Sequence, residues 1–159
     1  MALLLVALAS IACAGALYPD VQFYDSGELA TASVYLGLGH GPGQPLYCML
    51  SHAFLWIPFG SLAFRLCLFS AACTVLSLLV LQAILFDSVA RSRAERLLVT
   101  LALACFPLHA FVHEQAGRVE LYSLQMLRCI GGWPVCRSEP RGPGGSLGRL
   151  AAGTLAAAR

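Results

Sequence analysis

Three carboxylates fall within nine residues near the start of the chain, in Pro19-Asp20-Val21-Gln22-Phe23-Tyr24-Asp25-Ser26-Gly27-Glu28. A carboxylate that is exposed in a cleft and within hydrogen-bond reach of a hydroxyl can take its proton. Asp25 and Glu28 are the candidates for that work. Their spacing also has a plain structural reading: an Asp at the start of a helix with Glu three residues on is a capping box, each side chain accepting from an orphan backbone N–H. The two readings are compatible, because a cap holds a carboxylate in a fixed place. Other polar groups carry weaker signals. His40 lies in the turn-rich stretch Gly39-His40-Gly41-Pro42-Gly43-Gln44-Pro45. His109 and His113 share one helix face with Glu114 after them, but no third ligand follows at a recognisable spacing, so no metal site is read here.

The elements that hold these residues are set by hydropathy. Of the 159 residues 58% are hydrophobic and only 11% charged, against about 25% charged in a soluble domain, which excludes a soluble globular enzyme. The net charge of +2 is too small and too scattered for a nucleic-acid footprint. Leu66 to Phe86 is free of charge and long enough to cross a bilayer, with Arg65 before it. Met1 to Leu17 is shorter and reads as a first helix or as a signal peptide, although it lacks a basic n-region. Leu97 onward continues apolar through a kink at Pro107 and spans if it runs to Ala116. These readings give an all-α integral membrane protein with about three transmembrane helices, near 1–17, 66–86 and 97–116.

The short connection Asp87 to Arg96 holds Arg91, Arg93 and Arg96, while 18–64 has no basic residue. The positive-inside rule then places the N-terminus and 87–96 in the cytoplasm and the loop 18–64 on the opposite face. Within that loop, Leu29 to Leu38 and Leu46 to Ile57 are too short to span and suit interfacial helices. Tyr18, Tyr24, Tyr47, Trp56 and Tyr122 read as interfacial belts, with Tyr24 and Tyr122 as alternative sugar platforms. Of the seven cysteines, Cys13, Cys67, Cys73 and Cys105 lie in apolar runs and read as small hydrophobes. Cys48, Cys129 and Cys136 form no CxxC pair.

Four stretches then carry a resemblance: Asp25-Ser26-Gly27-Glu28-Leu29; Leu36-Gly37-Leu38-Gly39-His40-Gly41-Pro42-Gly43-Gln44-Pro45-Leu46-Tyr47; Pro58-Phe59-Gly60-Ser61-Leu62-Ala63-Phe64-Arg65; and Glu120-Leu121-Tyr122-Ser123-Leu124. In order and spacing this resembles the membrane family of the domain of unknown function 2723, the transmembrane protein 260-like protein O-mannosyltransferases. Gly41, Gln44 and Cys67 depart from the family pattern of Pro, Tyr and Asn; the first two loosen the turn around His40.

The resemblance implies the N-terminal part of a GT-C multi-helix bundle, as a fragment. It also implies transfer of a sugar, mannose, from a polyprenyl- or dolichyl-phosphate donor to a hydroxyl of an acceptor protein on the non-cytoplasmic face. The membrane would be the bacterial plasma membrane or the endoplasmic reticulum membrane. By the resemblance Asp25 or Glu28 is the catalytic carboxylate, and His40, Arg65, Glu120 and Tyr122 bind substrate. No cofactor is implied beyond the lipid-phosphate sugar itself, and the metal requirement stays open. Arg65 also has a plain reading, as an anchor of its loop.

Beyond Gln125 the pattern breaks. Seven of the fifteen glycines and half of the ten arginines fall in the last fifth of the chain. Residues 1–125 therefore read as the membrane domain and 126–159 as a disordered segment or out-of-frame sequence. Two functions are carried forward: a glycosyltransferase fragment, inactive by itself, and a small non-enzymatic membrane protein or inactive pseudogene product.

Overall fold

In a computed structural model the described residues are 1–22, 25–39 and 44–138, with side chains described as far as 133. They form helices joined by turns, and no strand occurs among them. In chain order the helices are α1 (Ala2–Ala14), α2 (Ser26–Tyr35), α3 (Pro45–Phe54), α4 (Leu62–Ser88), α5 (Arg93–Cys105), a 3-10 turn (Phe106–Leu108), α6 (Ala110–Gly117) and α7 (Tyr122–Ser138).

α4 is the mast of the fold. At 27 residues it is about 40 Å long, and it is the one described helix long and apolar enough by itself to cross a membrane. Ser61 starts it: its hydroxyl accepts from the Phe64 N–H at 3.1 Å and donates to the Pro19 carbonyl. α1, α3, α5, α6 and α7 all pack against it.

The other two expected spans take different forms. α1 stops at Ala14 and has 13 residues, about 20 Å of helix, which is short of the hydrocarbon thickness. The segment expected to span 97–116 is broken: the part through Leu108 and α6 meet at 69°. Pro107 lies in the 3-10 turn, where its missing N–H ends the α-helical ladder. The pair is a broken span or a re-entrant turn rather than a gently kinked helix.

Buried polar side chains stitch α4 to its neighbours. Gln82 Nε2 donates to Thr100 Oγ1 of α5 at 2.9 Å, and Thr74 Oγ1 donates to Ser123 Oγ of α7 at 3.1 Å. Such contacts hold helices together where lipid and side chain are equally apolar. At the basic turn, Ser92 and Glu95 form a complete capping box at the start of α5, and the Arg96 guanidinium lies 5.4 Å from the Phe86 ring centre.

The larger apolar cluster joins α2, α3, α4 and α7 around Phe69, whose ring meets Tyr47 and Phe54 edge-on at 5.4 and 5.3 Å. Tyr47 is 1% exposed, so it is a core residue and not part of an interfacial belt; Tyr18, Trp56 and Tyr122 are exposed, and Tyr24 lies outside the described residues. Cys13, Cys67 and Cys73 are buried, as is Cys48, whereas Cys105 is exposed. α7 continues through 138 and so crosses the 125/126 boundary drawn from composition; residues 139–159 lie outside the described residues.

Candidate functional site

The start of α2 and the link between α6 and α7 meet at one small cleft of about 60 Å³, lined by Asp25, Leu29, Gly39, Gln44 and the run Glu120 to Tyr122. Asp25 is exposed and occupies the N-cap position of α2, but the capping box expected there does not form on its side. Its backbone is helical (φ −70°, ψ −10°) and its side chain makes no cap hydrogen bond. A capping side chain needs an extended backbone to turn back on the helix, as Ser92 has with ψ 161°. The Asp25 carboxylate is therefore left to face the cleft. Glu28, also exposed, abuts the cleft wall from behind: a Cβ on Gly39 would lie 3.3 Å from Glu28 Oε1.

Glu120 comes from the other side. Its position depends on a close crossing of backbones one turn earlier, where a Cβ on Gly117 would fall 1.8 Å from the Ala16 carbonyl oxygen and where the Tyr18 N–H donates to the Gly117 carbonyl at 3.3 Å. From there the link is tied to α4 by Ser70, whose hydroxyl donates to the Glu120 carbonyl oxygen at 3.3 Å. Glu120 is 8% exposed, and Ser26 Oγ donates to its Oε1 at 3.5 Å. Burial pushes the Glu120 carboxyl above the ordinary glutamate range, and the Asp25 charge adds to the effect. The Ser26 hydrogen bond, Arg118 and the Leu121 N–H oppose it.

Under the cleft, the buried Tyr47 hydroxyl has no hydrogen-bond partner. It lies within the field of Glu120, and burial raises it far above the ordinary phenol range. Arg118 forms an ion pair with Glu114, and its Nε is buried without a partner.

Of the residues singled out from the sequence, Asp25, Glu120 and Tyr122 are brought together, with Glu28 just behind Gly39. Arg65 is elsewhere. Its guanidinium donates to the carbonyls of Leu55 at 2.9 Å and of Phe59 and Gly60 at 3.2 Å each, which closes the turn between α3 and α4. These contacts make Arg65 an anchor of its loop. His40 lies outside the described residues. Among those residues no cluster of three or more His, Cys, Asp or Glu side chains is placed to hold a metal ion. Ser26, Gln44 and Tyr47 were not singled out as site residues. Ser26 carried a signal, since it stands between the two candidate carboxylates; Tyr47 carried none beyond its place after the turn.

Residues 25–130 match the family described as the protein O-mannosyl-transferase TMEM260 N-terminal domain. Protein O-mannosyl-transferase TMEM260 of Mus musculus is 35% identical over 108 residues, which is 65% of this chain and 14% of that protein. The chain thus corresponds to a small part of the length of this relative. No solved structure matches. The matched segment opens at Asp25 and takes in Glu120 and Tyr122, so the cleft lies inside it, and the chain belongs to the family of the TMEM260 N-terminal domain.

Proposed function

We propose that this chain supplies the acid–base cleft of a membrane glycosyltransferase of the GT-C type, within the family of the domain of unknown function 2723. In this reading, mannose passes from a polyprenyl- or dolichyl-phosphate donor to a serine or threonine hydroxyl of an acceptor protein. Family membership supports a transferase, and α4 with the apolar composition supports a membrane protein. The observation that carries the reading is the meeting of Asp25 with Glu120 and Tyr122 in one cleft within the family-matched segment.

Asp25 is the base. Its carboxylate takes the proton of the acceptor hydroxyl as that oxygen forms its bond to the anomeric carbon. The bond from that carbon to the phosphate oxygen breaks, and its electron pair leaves on the lipid phosphate. The exposed Tyr122 ring at the rim offers an apolar face for the sugar. The arginine distribution orients the cleft to the non-cytoplasmic face, with the N-terminus and the 87–96 turn in the cytoplasm. Arg65 holds the loop in shape, and the growing charge on the phosphate falls to another cation or to a helix N-terminus.

The test is transfer from dolichyl-phosphate mannose to a serine- and threonine-containing peptide by membranes containing a full-length member of the family that carries this chain's matched segment, residues 25–130. Asp25→Asn removes the base and lowers the rate by about 10²- to 10⁴-fold. Transfer at the wild-type rate by Asp25→Asn refutes the assignment of the base. Absence of transfer by the full-length protein carrying the unaltered segment favours the non-enzymatic alternative.

A further inference from the structure

Asp25 and Glu120 share one cleft, yet their surroundings differ sharply. Asp25 is exposed. Glu120 is 8% exposed, and its side-chain donor is a neutral one, the Ser26 hydroxyl, at the long distance of 3.5 Å. An ionised carboxylate in such a place needs strong donors or a cation to offset its lost hydration.

Around Glu120, α2 brings Asp25 and Ser26, the first a like charge. α3 brings the Tyr47 phenol, buried and neutral, whose hydroxyl has no partner. α4 brings the Ser70 hydroxyl, which is spent on the Glu120 backbone carbonyl. The link itself brings the neutral Leu121 N–H and Arg118, which is paired with Glu114 of α6. Among the described residues, Arg118 is the one cation that opposes burial and the Asp25 charge at Glu120, and it is shared with Glu114.

We propose that Glu120 is the positioning residue for Asp25: it carries a proton at neutral pH, so that the cleft holds a single negative charge and Asp25 bears it. Two carboxyl groups set apart in this way divide into one ionised and one neutral member. The ionised one is the base. The neutral one neither gives nor takes a proton in the reaction; it removes the like charge that would otherwise oppose an approaching anionic donor. The resemblance assigned Glu120 to substrate binding, and the burial of its carboxyl points instead to this role behind Asp25. The inference rests on the reading of Asp25 as the base, but its own test does not need transfer.

The test is infrared spectroscopy of the whole chain in maltoside micelles, a detergent without ester carbonyls, across a pH series. Protonated carboxyls absorb apart from carboxylates. The expected result is a protonated-carboxyl band at neutral pH in the wild type that is missing in Glu120→Gln. Its titration midpoint moves down in Asp25→Asn, which removes the like charge, and up in Ser26→Ala, which removes the donor to the ionised form. No such band at neutral pH, a band that survives Glu120→Gln, or a midpoint that ignores both neighbouring changes overturns the proposal. Helical circular dichroism shows that each variant is folded. If the band is present and the full-length protein carrying the unaltered segment transfers no sugar, the transferase reading fails while the assignment of the proton to Glu120 stands.

Discussion

Replacing Gly117 by alanine tests the idea that a single backbone crossing places Glu120. A Cβ at 117 would lie 1.8 Å from the Ala16 carbonyl oxygen, 2.4 Å from its carbon and 2.9 Å from its own Cβ. Backbone atoms at both sides leave no flexible side-chain end to give way. The end of α1 and the end of α6 must then part by roughly an ångström or more to reach an ordinary contact. Overpacking of this kind costs about 1–3 kcal/mol. Stretching the bond from the Tyr18 N–H to the Gly117 carbonyl adds about 1 kcal/mol, and alanine returns about 0.5–1 kcal/mol through helix propensity. The net expectation is a loss of about 1–3 kcal/mol. Gly131 is the control: it lies in α7, and a Cβ added there would meet nothing within 4 Å, so Gly131→Ala should gain about 0.5–1 kcal/mol. Chemical or thermal unfolding in micelles, followed by helical circular dichroism, measures both variants, and the two changes should have opposite signs. If Gly117→Ala is as stable as Gly131→Ala, the close crossing of α1 and α6 is not a feature of the folded protein.

Arg65 gives a second expectation: Arg65→Ala removes charged donors from the carbonyls of Leu55, Phe59 and Gly60 and destabilises the protein by about 2–3 kcal/mol. Arg65→Lys should recover only part, because an ammonium cannot reproduce the planar fork; a change below about 0.5 kcal/mol on Arg65→Ala in the same unfolding assay refutes the anchor. A third expectation follows from the raised Glu120 carboxyl. Well below the ordinary glutamate range the group is neutral in the folded and the unfolded chain, so it adds no pH dependence. As pH rises above that range the unfolded chain releases the proton first, and stability falls until the folded group also ionises. Unfolding midpoints across a pH series should show this decline in the wild type and a flatter profile in Glu120→Gln; equal slopes refute the buried carboxyl.

Much of the fold was legible because bilayer chemistry leaves few options. A long charge-free run bounded by Arg65 had to be a helix, and it is α4. The two short helices of the loop also follow from their lengths: Pro45 opens α3 at its first position, and Gly37 follows the left-handed Leu36 that ends α2. Lengths and breaks were harder to read. The end of α1 at Ala14 has a local mark in Gly15 at its C-cap, but the close approach of Ala16 to Gly117, about a hundred residues away, does not show in the stretch Met1 to Leu17. Pro107 was visible as a kink, but the 69° bend depends on how α6 is held against α4 and α1. The capping box shows the same limit. The sequence Asp25 to Glu28 has the right residues, yet the box forms instead at Ser92 and Glu95, where the backbone before the helix is extended.

For the site, residue type and spacing were enough to pick out the groups capable of acid–base chemistry: Asp25 and Glu28 by their place before an apolar helix, and Glu120 and Tyr122 by their place in a recognisable run. How those groups divide the work emerged from the folded arrangement alone. Arg65 turned out to hold its own loop, since its carbonyl partners lie within ten residues of it. Tyr47 went to the core because the Phe69 ring, itself packed against Phe54, gave it an apolar seat. Asp25 and Glu120 became unequal because one lies at the surface and the other beneath it. Residue type sets what a carboxyl can do, but its proton is held or released by the burial and charge around it, and those arise only when segments 94 residues apart close on each other.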